Sequence, residues 1–117
     1  MGTFHVSIAI GDPQGQRWER VEALVDTGAS YTTLPASLLR RLGVRPTERR
    51  RFRLADERTT DRDIGTTQVR IDGRTYPTIV VFGLDNTFIL GAVTLEEFAL
   101  AVDPLGQRLI SVEGLLM

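Results

Sequence analysis

The segment Leu24-Val25-Asp26-Thr27-Gly28-Ala29-Ser30 restricts this chain more than any other. An apolar run ends in an acid, and Thr-Gly follows at once. A carboxylate at the end of a buried strand is costly unless it is hydrogen-bonded or shares its charge. Thr27 brings a hydroxyl that both donates and accepts, and Gly28 lets the backbone turn sharply and approach a ligand or another chain. Two carboxyl groups in contact share one proton, because like charges about 3 Å apart do not both ionise. One is then a base able to activate water and the other an acid, and their apparent pKa values belong to the pair. The pattern occurs once in 117 residues, so if Asp26 is one member of such a pair, a second copy of the chain must supply the other acid. Taken alone, Asp26 reads equally as a turn or capping acid at a strand end.

The surrounding pattern is one of short strands. Phe4, Val6, Ile8 and Ile10 alternate with smaller or polar residues, as on a half-buried strand. Gly11 to Gly15 is a turn cluster, after which Trp18, Val21, Ala23 and Val25 lead into the acid. Pro35 opens a helix over 36–42 and Gly43 closes it, the proline-first, glycine-last asymmetry of helices. Residues 49–63 read as a polar hairpin. Asp72-Gly73 is a two-residue hairpin turn, followed by an apolar strand over 78–82. Thr94-Leu95-Glu96-Glu97 has capping-box spacing and predicts a helix from Thr94 to Leu100, with strands on either side of Pro104-Leu105-Gly106-Gln107. These elements predict one all-β, barrel-like domain over residues 1–117 with one or two short helices.

Composition removes several classes of function. Without cysteine there is no disulfide, thiolate nucleophile or cysteine-based zinc site, and one histidine with scattered acids gives no metal-ligand spacing. No metal and no cofactor is expected. A formal net charge of −1 offers no electrostatic case for nucleic acid or an anionic membrane. The N-terminus Met1-Gly2-Thr3-Phe4-His5 lacks a basic segment followed by an apolar one, and no apolar run approaches a membrane span. A cytoplasmic protein is therefore expected. All basic residues are arginine, a bias that fits a GC-rich, bacterial genome.

Asp26-Thr27-Gly28-Ala29-Ser30 resembles the active-site loop of retroviral-type (retropepsin-like) aspartic proteases. Phe88-Ile89-Leu90-Gly91 resembles that family's second signature, two apolar residues and a glycine packed beside the catalytic loop. The order and spacing of these parts, with a short helix after them, match the family along most of the chain. The resemblance implies a closed acid-protease barrel, a two-fold homodimer, and hydrolysis of peptide bonds in an extended substrate. It makes Asp26 the catalytic acid/base of each subunit. Thr27 would bond across the dimer axis, Gly28 would line the floor of the groove, and Ala29, Ser30, Ile89, Leu90 and Gly91 would support the loop. Ser30 and Ala92 stand where viral members often carry charged residues, so an ion-pair brace is not expected here.

The flap expected from the resemblance is the hairpin 52–60, with Ala55, Asp56, Glu57 and Arg58 at its tip. Glu57 stands where glycine would ease a positive φ. Ala29, Leu34, Val80, Phe82 and Leu84 are expected to form apolar walls and to favour apolar side chains around the scissile bond. The chain ends, with Leu109, Ile110 and Val112, are candidate dimer elements. Arg49, Arg50, Arg51 and Arg53 read as a solvated hairpin face balanced by Asp56, Glu57, Asp61 and Asp63. His5 reads as structural and Asp103 as a turn acid. The flap tip and Ala92 also admit an alternative, a weakly active or inactive dimerisation or peptide-binding module on the same fold.

Overall fold

The computed structural model describes residues 3–116. Met1 and Gly2, which open the segment read for a signal peptide, and Met117, which ends the expected domain, lie outside the described residues. Strands β1 (His5–Gly11) and β2 (Trp18–Val25) pair antiparallel from His5↔Leu24 to Gly11↔Trp18. Their connecting turn is organised by Asp12, whose Oδ1 accepts the backbone N–H groups of Gln16 and Arg17 at 2.7 and 2.6 Å. The Arg17 N–H is the largest influence holding the Asp12 carboxyl below its ordinary range, against a smaller opposing effect of burial.

After the acid loop come β3 (Thr32–Pro35) and helix α1 (Ala36–Arg41), which buries Leu38 and Leu39 and ends at Gly43, with φ +78°. β4 (Glu48–Arg53) and the first half of β5 (Thr59–Ile71) form a hairpin. The second half of β5 pairs with β6 (Arg74–Gly83) through the Asp72-Gly73 turn. Both turn residues have positive φ, 51° and 78°, as a type I′ turn requires. β7 (Ile89–Leu90), helix α2 (Ala92–Glu97) and the hairpin of β8 (Leu100–Asp103) and β9 (Arg108–Ser111) follow.

The main sheet has seven strands in the order β1-β2-β7-β3-β6-β5-β4, and β8-β9 forms a second, two-stranded sheet. β1 also pairs with β5 through Ala9↔Arg70 and Ile10↔Val69, so the pairing order returns on itself. The fold is mostly β with two short helices, as the sequence predicts. One apolar core, including the fully buried Ile10, Leu34, Leu39, Val69, Val80, Leu90 and Phe98, lies within this arrangement.

Helix α2 starts at Ala92 and not at Thr94, and ends before Leu100. The cause is tertiary. The Ala92 and Val93 N–H groups donate to the carbonyls of Ala29 and Ser30, at 2.8 and 2.9 Å, which fixes the helix start. Thr94 is therefore an interior helical residue, and its hydroxyl is engaged with other threonines and not with a cap. Ala99 adopts φ +53° and closes the helix, which frees Leu100 to begin β8.

Candidate active site

The site begins with an insertion. Two-residue β7 lies between β2 and β3, parallel to the first (Leu24↔Ile89, Val25↔Leu90) and antiparallel to the second (Thr33↔Ile89). The loop Asp26–Tyr31 must therefore pass over the end of β7, bringing the two sequence motifs into contact. The Asp26 N–H donates to the Leu90 carbonyl at 3.1 Å, and the Ala29 N–H returns to the Asp26 carbonyl at 3.1 Å. With the Ala92 and Val93 bonds, both ends of the loop are joined by backbone to the second signature.

Gly91 is the contact point. Its φ is −97°, ordinary extended backbone, so flexibility is not the reason for glycine. A Cβ there would lie 2.4 Å from the Tyr31 carbonyl carbon and 2.9 Å from the Thr32 nitrogen. Only glycine lets the two backbones approach this closely.

A buried hydroxyl chain anchors the same point. The Gly91 N–H donates to Thr32 Oγ1 at 3.1 Å, Thr32 bonds Thr94 at 2.7 Å, Thr94 bonds Thr78 at 2.9 Å, and Thr78 donates to Glu97. Glu97 as a carboxylate only accepts, so the chain runs one way: Thr94 donates to Thr78, and Thr32 donates to Thr94. Every one of these hydroxyls is then satisfied, with Thr32, Thr78 and Thr94 all buried.

Asp26 is half-buried. Its Oδ1 accepts the Gly28 N–H at 2.9 Å, and its Oδ2 has no hydrogen-bond partner among the described residues. Thr27, Gly28 and Ser30 are exposed, and Ala29 is half-buried. The loop separates two hollows. One, of about 210 Å³, is bounded by Asp26, Thr27, Phe4, Val102, Pro104 and Gln107. The other is a cleft of about 310 Å³ that starts at Gly28, Ala29 and Ser30 and is roofed by Phe52, Leu54 and Arg62 of the β4–β5 hairpin.

The hairpin expected as the flap turns without glycine. Leu54 and Glu57 close a tight turn (Glu57 N–H to Leu54 carbonyl, 3.0 Å), with Glu57 at φ +72°. Asp56 accepts the Arg58 N–H at 3.1 Å, and Arg53 pairs with Glu57 at 3.0 Å. Ala55, Asp56, Glu57 and Arg58 are exposed at the tip, and the cleft is lined by residues flanking them.

Of the expected wall residues, Ala29 and Leu84 line the cleft, whereas Leu34, Val80 and Phe82 are in the core. Their strand neighbours Thr33, Val81 and Gly83 face the cleft instead. The run Ile79–Phe82 is apolar throughout, so it carries no alternation to mark its faces, and a one-residue shift exchanges them. Phe52, Leu54 and Thr60 belong to the hairpin expected as the flap, whereas Tyr31, Arg62 and Thr87 are cleft residues that sequence reasoning missed along with Thr33, Val81 and Gly83. The signal for Arg62 lay in the hairpin, where Arg50, Phe52, Thr60 and Arg62 are half-buried between the exposed Arg49, Arg51, Arg53, Thr59 and Asp61, although Asp63 is half-buried too. Asp103 is a turn acid: it accepts the Leu105 N–H at 3.1 Å and pairs with Arg108 at 3.3 Å.

Among the described residues no group of three or more His, Cys, Asp or Glu could hold a metal ion. No helix there is long and apolar enough to cross a membrane.

An acid-Thr-Gly loop sutured to an apolar-apolar-glycine segment beneath a β-hairpin defines the retroviral-type aspartic protease class. Comparison with known proteins agrees. The family described as "gag-polyprotein putative aspartyl protease" matches residues 15–97, and the chain belongs to it. Among solved structures the protein is similar to the solution structure of simian foamy virus (mac) protease. The identity is 17% and the TM-score 0.58, with 80% of this chain and 93% of that chain covered. At that identity the likeness is one of fold. No curated protein matches the chain.

Proposed function

We propose that this protein is an aspartic endopeptidase, a single domain whose self-returning strand order is the closed barrel of its family and whose active form is a homodimer pairing two Asp26 side chains. The observation that carries the proposal is the suture of the Asp26–Ser30 loop to Ile89-Leu90-Gly91 at the mouth of a hairpin-roofed cleft. In the dimer the two carboxyls share one proton. The ionised Asp26 takes a proton from water as the oxygen attacks the peptide carbonyl, and the protonated Asp26 gives its proton to the carbonyl oxygen. On collapse the C–N bond breaks, the amine leaves with a proton from the protonated Asp26, and the other Asp26 takes the proton of one hydroxyl as the acid carbonyl re-forms, so the dyad again holds one proton. Thr27, Gly28, Ala29 and Ser30 hold this loop, and Ile89, Leu90 and Gly91 hold it from below.

Three features support a dimer. Only one acid motif is present, Asp26 Oδ2 lacks a partner among the described residues, and the small β8–β9 sheet leaves apolar residues open, with Ile110 and Val112 39% and 43% exposed. A two-stranded sheet with open edges is a ready pairing surface. The substrate is an extended peptide laid along strand edges under the flap, with alternate side chains in pockets, where residues 55–58 would close over it. The features behind a non-catalytic module are accommodated by this site: the flap tip turns with Glu57 in place, and Ala92 contributes its backbone N–H to the suture. The test is cleavage of an unfolded protein from acidic to neutral pH, with sedimentation on the same samples. Cleavage by a dimer, lost in a folded Asp26→Asn variant, is expected. Cleavage retained in that variant overturns the reading.

A further inference from the structure

The β4–β5 hairpin carries its arginines unequally. Four of them are matched: on the outward face Arg49 with Asp63 at 3.1 Å and Arg51 with Asp61 at 3.5 Å, at the tip Arg58 with Asp56 at 2.6 Å, and Arg53, which also borders the cleft, with Glu57 at 3.0 Å. The inward face differs. Arg50 and Arg62 stand directly opposite each other in the antiparallel register, a like-charge arrangement that disfavours the pair. Arg50 is compensated by Glu48 at 3.1 Å, donates to the Tyr31 hydroxyl at 3.0 Å and lies over its ring. Arg62 makes no ion pair among the described residues, and its one side-chain hydrogen bond goes to the neighbouring Asp61 carbonyl at 3.1 Å. Of the five N–H donors on its guanidinium, most are thus unspent, and it lines the cleft that begins at Gly28.

No aspartate or glutamate lines that cleft. Its surface is mainly apolar, and Val81, Leu84 and Phe52 line it together with Arg62. A side chain suited to it has a short aliphatic stem and an anionic end.

We propose that Arg62 forms a specificity subsite for an acidic side chain, glutamate first, of a peptide bound in the cleft. The proposal rests on the reading of the site as peptide-cleaving and refines the expectation of apolar residues around the scissile bond. The glutamate methylenes lie on Val81 and Phe52, and the carboxylate takes two parallel N–H bonds from the guanidinium, the geometry arginine favours. The bound carboxylate also offsets the repulsion between Arg50 and Arg62, so the hairpin is held more firmly over an acidic substrate than over its neutral isostere.

The test uses peptide pools built around a central apolar pair, with each flanking position occupied by either glutamate or its isostere glutamine. Cleavage is measured with the wild type and with Arg62→Gln and Arg62→Glu. Binding of the same pools is measured by fluorescence anisotropy to Asp26→Asn, alone and combined with each Arg62 change. At one position the glutamate pool is expected to be favoured by on the order of tenfold, as for one charge-assisted contact in a partly open site. Arg62→Gln should bring that ratio close to one, and Arg62→Glu should invert it. Added salt should shrink it. Cleavage with no glutamate preference, or with a preference that survives Arg62→Gln, overturns the subsite and leaves the protease reading standing. An Arg62-dependent preference in binding, with no cleavage by the folded wild type, keeps the subsite and removes the protease reading. Neither binding nor cleavage of any pool overturns both.

Discussion

Replacing Gly91 by alanine isolates the joint on which the site depends. The added methyl carbon would lie 2.4 Å from the Tyr31 carbonyl carbon, 2.5 Å from its oxygen and 2.9 Å from the Thr32 nitrogen. All three are backbone atoms, so no side chain can rotate away. Ordinary contact requires β7 and the start of β3 to part by about 1 Å, and overpacking of this kind costs about 1–3 kcal/mol. The same movement stretches the Asp26–Leu90 and Gly91–Thr32 hydrogen bonds, now both 3.1 Å, each worth about 1 kcal/mol. The expected loss is therefore about 3–5 kcal/mol, a large part of a small domain's stability. Urea unfolding of the two proteins measures it. A control separates crowding from backbone conformation: Gly43 has φ +78° with only Arg17 nearby at 3.9 Å, so alanine there should cost only about 1–2 kcal/mol of left-handed strain. A Gly91→Ala protein within 0.5 kcal/mol of wild type, roughly the spread of neutral surface changes, would refute the close-approach argument.

Thr94→Val breaks the middle of the hydroxyl chain and leaves Thr32 and Thr78 each short of a buried partner. It should cost about 1–3 kcal/mol by urea unfolding, with Thr94→Ser recovering most of it. Ala99→Gly removes left-handed strain at the end of α2 against a smaller gain in unfolded-chain freedom, so it should raise stability by about 0.5 kcal/mol. The Asp12 and Asp103 carboxyls are both lowered, chiefly by the N–H groups of Arg17 and Gly106 respectively. A carboxyl lowered in the folded state adds stability that is complete above its unfolded value, roughly pH 4, and disappears as pH falls through the folded one. Stability should therefore decline below about pH 4, and Asp12→Asn, measured by thermal melts from pH 6 to 2, should lower the melting temperature at pH 6 and flatten that decline.

What the sequence made legible is what short-range chemistry decides. The acid loop, the second signature, the α1 helix closed by Gly43 and the Asp72-Gly73 turn could all be read from neighbouring residues. The start of α2 could not, because it is set by the carbonyls of Ala29 and Ser30, more than sixty positions earlier by sequence number. The faces of β3 and β6 were also hidden, since Ile79–Phe82 lacks alternation and its register comes from pairing with Thr32–Pro35. The arginine run was half legible: Arg49, Arg51 and Arg53 form the expected paired outer face, but the inward turn of Arg50 beside Arg62 depends on the hairpin register.

The central claim is that two Asp26 carboxyls, one from each of two chains, make one active site. Mixing wild type with Asp26→Asn in equal amounts, and allowing subunits to exchange, tests it most directly. If each site needs both acids, only wild-type dimers cleave, and activity falls to about a quarter of the same total amount of wild type, following the square of the wild-type fraction. Activity of about a half, linear in the wild-type fraction, would mean that each chain works alone and would contradict the shared dyad.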